Sequence, residues 1–309
     1  MRYVYRIIQV FGVKNFMARS RFSIAKPDIE KFFNENDKRV YTPGELEKIF
    51  ILNNKEWRLA KTSTLKSFVQ FLLERSKMTR VPLDFPRPLN RYIWGPVTSD
   101  LIYEICLSLS PKAYLTHYTA MFLHNLTEQI PKNFYVTVEQ TPKSRGTITQ
   151  EDIDEAFQKP IRRTQNVASY LDCNITLLNG AATGNLGVVS LSGEFREKLQ
   201  VTNIERTLID IAVRPEYSGG VFEVLKAYER AKDHDVSVNT LKAYVKKINF
   251  VYPYHQVIGF YLERASYSEK RLNLFDMEEK IYDFYLMHDM KDVRYSKRWR
   301  LYYPRSLDG

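Results

Sequence analysis

Apolar residues recur every three or four positions through most of this chain, and a few short stretches alternate with period two instead. The first helical stripe predicts a helix from Pro27 to about Asn36, with Pro27 in its first turn and Ile29, Phe32 and Phe33 on one face. A second begins after Thr42: Thr42 is the N-cap, Pro43 the first helical residue and Glu45 the third, and Leu46, Ile49 and Phe50 supply the buried side. A third runs from Ser63 to Arg75, with Leu65, Phe68, Val69 and Leu72 inward and Ser63, Lys66, Ser67 and Gln70 outward. Met78 to Asp84 and Asn90 to Trp94 read as two short strands around a turn holding Pro86, Arg87 and Pro88. Three helices and a β-ribbon describe a winged helix-turn-helix over residues 25–97, after an N-terminal extension of residues 1–24.

Residues 98–309 mix the two periods, so the fold class expected for the whole chain is α+β, a winged helix followed by a mixed α/β domain. Helices are predicted from Ser99 to about Leu109, over Ala113 to Leu126, from Thr149 to Phe157 (or an ordered loop), and from Thr202, Val221, Val238 and Tyr254. Strands are predicted over Asn133–Glu139, Asn174–Leu178, Gly187–Leu191, Tyr282–Leu286 and Arg298–Tyr303, with a turn at Ser144-Arg145-Gly146.

The most sharply punctuated stretch is Thr202 to Gly220. Thr202 and Glu205 have capping-box spacing, Ile204, Leu208 and Ile211 form a buried stripe, and Arg206 and Asp210 sit four apart, placed to pair. Pro215 stops the helix and Gly219-Gly220 allows a sharp turn into the next one.

Charge adds a partner class. The chain of 309 residues carries 46 Lys and Arg against 36 Asp and Glu, a formal excess of +10. Between Lys55 and Arg91 lie nine basic and three acidic residues, an excess of six. A basic winged helix favours a polyanion, and the residues placed to reach bases and phosphates are Lys61, Ser63, Thr64, Lys66, Ser67, Gln70, Arg80, Arg87 and Arg91. A second basic surface is expected at Arg294, Lys297, Arg298 and Arg300.

Other chemistry does not assemble. Cys106 and Cys173 have no pairing or zinc spacing, which points to a reducing cytoplasmic compartment. No apolar run reaches the ~18 residues of a membrane span, so no membrane partner is expected. Met1 to Lys14 resembles a signal peptide only superficially, because Arg6, Gln9 and Lys14 interrupt it; it reads as an extension or as sequence upstream of a start at Met17. His117 and His124 are seven apart but lack two further ligands, so no metal site is expected. Gly184-Asn185-Leu186-Gly187 lacks the lysine and hydroxyl of a phosphate loop. Acids near strands, Asp172, Glu194 and Asp283, leave a DNA-directed nuclease as an alternative, and a ligand-sensing transcriptional regulator as another. No cofactor and no enzymatic activity are expected.

From about Lys26 onward the chain resembles the AbiEi family of antitoxins from type IV toxin–antitoxin systems. Four stretches carry the resemblance: Tyr41 through Trp94; Ala113-Tyr114-Leu115-Thr116-His117-Tyr118-Thr119-Ala120 continuing to Leu126-Thr127-Glu128-Gln129-Ile130-Pro131; Glu205-Arg206-Thr207-Leu208-Ile209-Asp210 running into Arg214-Pro215-Glu216-Tyr217-Ser218-Gly219-Gly220; and Asp283-Phe284-Tyr285-Leu286. The third is the most specific, and Glu205, Arg206, Asp210, Arg214, Pro215, Gly219 and Gly220 are its marked positions. The resemblance implies an N-terminal domain that binds inverted repeats in double-stranded promoter DNA and represses the operon. It also implies a C-terminal domain that counters a cognate nucleotidyltransferase toxin, with or without a stable complex. It implies no catalytic residues.

Overall fold

A computed structural model describes residues 20–142, 146–192 and 198–308. The expected turn residues Ser144 and Arg145, the acid Glu194 and most of the N-terminal extension lie outside the described residues. Helix α1 spans Arg21–Asn34, earlier than expected: the Ser20 hydroxyl accepts from the Ser23 amide and caps it, so Pro27 falls inside the helix. Strand β1 is Val40–Tyr41; α2 is Pro43–Asn53 and α3 is Leu65–Arg75. Strands β2 (Met78–Leu83) and β3 (Leu89–Trp94) join β1 in a three-stranded sheet of order β1-β3-β2.

Contacts divide the chain into two compact units. The smaller holds the described residues 20–36 and Gly44–Met78. Aromatic rings make its centre: Phe68 is fully buried, with Trp57 stacked on it at 5.7 Å, Phe50 at 5.4 Å, and Phe22 stacked on Phe71 at 5.3 Å. The larger holds Asp37–Pro43 and residues 79–308. The boundary expected at residue 97 does not coincide with this division. Val40, Leu83 and Ile93 share one core with Leu101, Ile105 and Leu115, because three short strands cannot bury their apolar face alone.

The larger unit continues with α4 (Ile102–Leu107), β4 (Tyr114–Leu115), α5 (His117–Leu123), β5 (Asn133–Glu139), α6 (Gln150–Gln158), β6 (Val167–Tyr170), β7 (Cys173–Gly180), β8 (Val188–Leu191) and β9 (Leu199–Thr202). The six described strands form a mixed sheet of order β6-β7-β5-β4-β9-β8. The helix expected over Ala113 to Leu126 is thus a strand followed by a helix. Tyr114 and Leu115 pair antiparallel with Thr137 and Val136, and Leu115 pairs parallel with Val201. A three-residue apolar run satisfies either period, and the free edges of β5 and β9 decide it.

Helix α7 (Ile204–Val213) starts one residue later than the capping-box spacing suggested. Asn203, not Thr202, is the N-cap and accepts from the Arg206 amide, while Thr202 ends β9. Around α7 gather α5, α8 (Val221–Ala231), α9 (Val238–Ile248) and α10 (Tyr254–Arg264), so its Leu208, Ile209 and Ile211 are fully buried. Helix α11 (Glu269–Asp276) follows, then β10 (Phe284–Tyr285), β11 (Val293–Ser296) and β12 (Leu301–Pro304), ordered β10-β12-β11. Strand β11 and helix α11 were not predicted.

Trp299 anchors this end: it is fully buried, and its indole N–H donates to Glu263 at 2.8 Å. Its ring lies so close to Gly259 of α10 that a Cβ there would overlap ring carbons. Gly259→Ala is expected to destabilise by about 1–3 kcal/mol or more through overpacking, although alanine is the better helix former. A thermal melt unchanged from the parent would show that Trp299 can move aside.

Candidate functional site

The outer side of α3 divides between cap residues and exposed side chains. Thr64 caps the helix, its hydroxyl accepting from the Ser67 amide while the Ser67 hydroxyl accepts from the Thr64 amide. Those two hydroxyls are committed to the cap. Lys61, Lys66 and Gln70 are exposed, and the Gln70 amide donates to Glu74 at 2.9 Å. Ser63 is half-buried beside them. Lys61 and Lys66 make no ion pair among the described residues.

On the ribbon strands the three arginines differ. Arg80 and Arg87 are exposed. Arg91 is buried, and its guanidinium donates to the Ser108 hydroxyl and carbonyl and to the Asn90 carbonyl at 2.6, 2.9 and 2.9 Å. Arg91 is therefore corrected from a phosphate contact to a tether between β3 and the end of α4.

The second basic surface is likewise corrected. Arg298 is held by Glu263, Glu269 and Asp276 at 3.0, 2.8 and 3.0 Å, Arg300 by Asp283 at 2.8 Å, and Arg294 by Asp308 at 3.0 Å. Carboxylates from α10, α11 and the chain end neutralise what the local sequence shows as a basic run; Lys297 alone of the four is exposed and unpaired among the described residues. Asp283, an acid of the nuclease alternative, is in the same stroke committed to Arg300 and Tyr295. No group of three His, Cys, Asp or Glu is placed to hold a metal among the described residues. None of their helices is long and apolar enough to cross a membrane.

The Glu205–Gly220 stretch gathers two features. Its first half is a buried network. Arg206 pairs with Asp210 at 2.8 Å and donates to the Leu186 carbonyl at 2.8 Å and the Thr183 hydroxyl at 3.1 Å. Glu139 holds the same 183–185 loop by accepting from the Thr183, Gly184 and Asn185 amides. Burial works against the Glu139 charge, but a hydrogen bond from the Thr183 hydroxyl, with those from the three amides, outweighs it and holds the carboxyl below the usual range. Gly187, at φ 74°, lets this loop lie against the Arg206 side chain. The Gly184-to-Gly187 segment is thus a clasp on α7. Glu205 accepts from the Ser237 amide at the start of α9. Asp210 keeps one oxygen bonded to Arg206 and the other buried without a partner, and burial pushes its carboxyl up.

The second half is a corner beside a cleft. The Ser218 and Gly220 amides both donate to the Pro215 carbonyl, and Gly219 and Gly220 take φ of 81° and 89°. Pro215, Glu216, Gly219 and Gly220 line a cleft of about 600 Å³, and Arg214 lines an adjoining one of about 560 Å³. The clefts share Arg163, Val213, Tyr254 and His288. The opposite wall is the segment 159–164 after α6, pinned where the Thr164 amide donates to the Tyr217 hydroxyl at 2.8 Å. His288 lies flat on Phe157, centroids 4.2 Å apart, and its Nδ1 bonds the Ala156 carbonyl. Arg162 and Arg163 are exposed and make no hydrogen bond or ion pair among the described residues. Burial pushes the Glu216 carboxyl up, offset in part by its own backbone, Arg214 and Arg163. Sequence reasoning missed Arg162, Arg163 and the placing of His288, since an irregular loop has no period; three cations in Lys159-Pro160-Ile161-Arg162-Arg163 were the available signal.

His117 and His124 do not share a ligand position. His117 is buried beside Tyr217, bonds the Thr116 hydroxyl at 2.9 Å and has φ of 51°, while His124 bonds the Thr202 carbonyl at 2.6 Å. Burial lowers both pKa values, with Arg214 and Arg206 adding to the effect at His117 and the Thr202 carbonyl opposing it at His124. The unfolded chain protonates such histidines near 6.5 and the folded chain only at lower pH, so their contribution is full above pH 6.5 and is lost as pH falls through that window. The raised acids Asp210 and Glu216 act oppositely, favouring the fold toward low pH. Their window opens from usual values of 3.8 and 4.5. Melting temperature should therefore fall between about pH 7.5 and 5.5, and His117→Asn, which tolerates the left-handed backbone, should flatten that fall. A variant with an unchanged pH profile would remove His117 from this account.

No protein-family model matches the chain, and no curated protein matches it significantly. In solved structures, the chain is similar in fold to the RV2827C protein from Mycobacterium tuberculosis, with a TM-score of 0.58 over 90% of this chain and 91% of that one, at 11% sequence identity. At that identity the likeness is one of fold, and the mixed helix-and-sheet arrangement extends through nearly the whole of both chains.

Proposed function

We propose that this protein is a DNA-binding antitoxin that represses its own promoter and counters a nucleotidyltransferase toxin. The observation that carries the DNA-binding part is α3: a capped helix whose outward Lys66 and Gln70 are exposed, with Lys61 exposed in the turn before it and both lysines free of ion pairs among the described residues. Side chains of that kind at a helix N-terminus reach phosphates and base edges of a duplex. In this reading α1–α3 supply the helices of a winged helix-turn-helix, and the exposed Arg80 and Arg87 are further phosphate contacts. The larger unit carries the antitoxin role, a reading that the Glu205-to-Gly220 resemblance supports.

Co-expression tests the whole proposal. A nucleotidyltransferase gene lying immediately downstream should be lethal alone and tolerated with this protein, and a truncation ending near residue 97 should lose the rescue. Lethality unrelieved by the full chain would refute the antitoxin role. The cleft beside Pro215 favours a second reading, a regulator whose DNA binding answers to a ligand. That reading expects DNA binding without any toxin to rescue.

A further inference from the structure

We infer that the cleft beside the Pro215–Gly220 corner binds a nucleoside polyphosphate, with its phosphates at Arg162, Arg163 and Arg214 and its base on Tyr254 and His288. The inference stands apart from the DNA surface, since every residue in it belongs to the larger unit and none to α3 or the ribbon.

Size comes first. A cleft of about 600 Å³ lies within the roughly 300–1,000 Å³ of small-molecule sites and is concave, whereas a duplex needs an open face. Its chemistry is two-sided. Tyr254, Met287 and the His288 ring, itself backed by the buried Phe157, offer flat or adaptable apolar surface suited to a base. Arg162, Arg163 and Arg214 line the adjoining space, beside a Lys159 already paired with Glu155, against the carboxylates Glu216 and Asp289. Cations outnumber acids there, and Arg162 and Arg163 have no internal acceptor to satisfy them. Guanidinium groups grip phosphate oxygens through paired hydrogen bonds.

The corner itself leaves a helix end open, although Glu223 sits in its first turn. Helix α8 begins at Val221 with Gly220 as its N-cap, and Gly220 has no side chain to accept from the first-turn amides. A Cβ at Gly220 would meet nothing within 4 Å, so that helix end opens onto free space on the cleft wall. A bare anion would leave the aromatic floor unused, and an apolar ligand would leave the arginines unused; a nucleotide engages both.

The test uses the full chain and fluorescent N-methylanthraniloyl derivatives of ATP and GTP, with inorganic tripolyphosphate as competitor. Saturable binding in the micromolar range is expected for at least one nucleotide. Arg162→Ala with Arg163→Ala should weaken it by ~10-fold or more without changing the melting temperature of the unliganded protein, since both side chains are exposed. Met287→Trp, which fills the floor, should weaken it independently. Lys66→Ala with Arg80→Ala should leave it unchanged. No saturable binding up to about 1 mM overturns the inference, as does equal affinity in the double arginine variant. Tripolyphosphate competing as well as the unlabelled nucleotide overturns the base contact and leaves a polyanion site. A loss with Lys66→Ala and Arg80→Ala would move the nucleotide to the DNA surface and equally overturn it.

Discussion

Arg206→Ala is expected to destabilise the larger unit by about 3–5 kcal/mol, the cost of stranding one partner of a buried ion pair. That is a large part of the roughly 5–15 kcal/mol by which folded domains are stable. The structure explains why the effect should be so large. The Arg206 guanidinium is shared among Asp210, the Leu186 carbonyl and the Thr183 hydroxyl, so its loss breaks the α7 pair and the 183–187 clasp together. Asp210 would then have neither oxygen bonded to Arg206, and its second oxygen is already without a partner. Because burial raises the Asp210 pKa, lowering the pH neutralises the stranded carboxyl, so the penalty should be smaller at pH 5 than at pH 8. Arg206→Met combined with Asp210→Leu should recover much of the loss, because apolar residues of similar size tolerate the same site. Urea unfolding of the three proteins at both pH values checks this. A loss below about 1 kcal/mol, or one independent of pH, would mean that the pair is incidental to the fold. In the antitoxin reading the single variant also loses rescue, through instability and not through DNA contact.

Replacing Lys61, Lys66, Arg80 and Arg87 together by alanine is expected to lower affinity for promoter DNA by ~100-fold or more at physiological salt, and to make the dependence of log affinity on log salt shallower by about 3 to 4. Each exposed cation that meets a phosphate releases about one counterion, so four lost contacts set the change in slope. None of the four makes an ion pair among the described residues, so the variant should melt like its parent. Arg91→Ala is the internal contrast: it should lower stability, because its guanidinium is spent on Ser108 and Asn90, and leave the salt slope alone. Fluorescence anisotropy with a labelled promoter fragment between about 50 and 200 mM salt measures both. A quadruple variant that binds like the parent would place the DNA surface elsewhere or deny it.

Several elements were legible because local signals agree. Helix α3 shows a clean apolar stripe and a Thr cap, β5 alternates over its whole length, and the Pro215 and Gly219-Gly220 signals make the corner they suggest. The misses have a common cause. Tyr114-Leu115 is too short to declare a period, and its place between β5 and β9 is a matter of partners. Arg298 looks like part of a basic run until α10 and α11 bring Glu263, Glu269 and Asp276 to it from 22 to 35 residues away. The cleft joins Arg163 to His288, residues from two loops that no window along the chain contains.

What the sequence by itself determined is where helices such as α2, α8, α9 and α10 begin, which side of each is greasy, and that the chain carries an excess of positive charge. Those properties depend on neighbours three or four residues away. Which cations remain free to meet a ligand was decided only by the tertiary structure. Arg91 and Arg298 have their charges or hydrogen-bond donors met by groups brought to them in space, while Lys66, Arg80, Arg162 and Arg163 keep theirs. A guanidinium finds its acceptor by distance in space, and residue spacing along the chain does not encode that distance beyond one helical turn or strand pair.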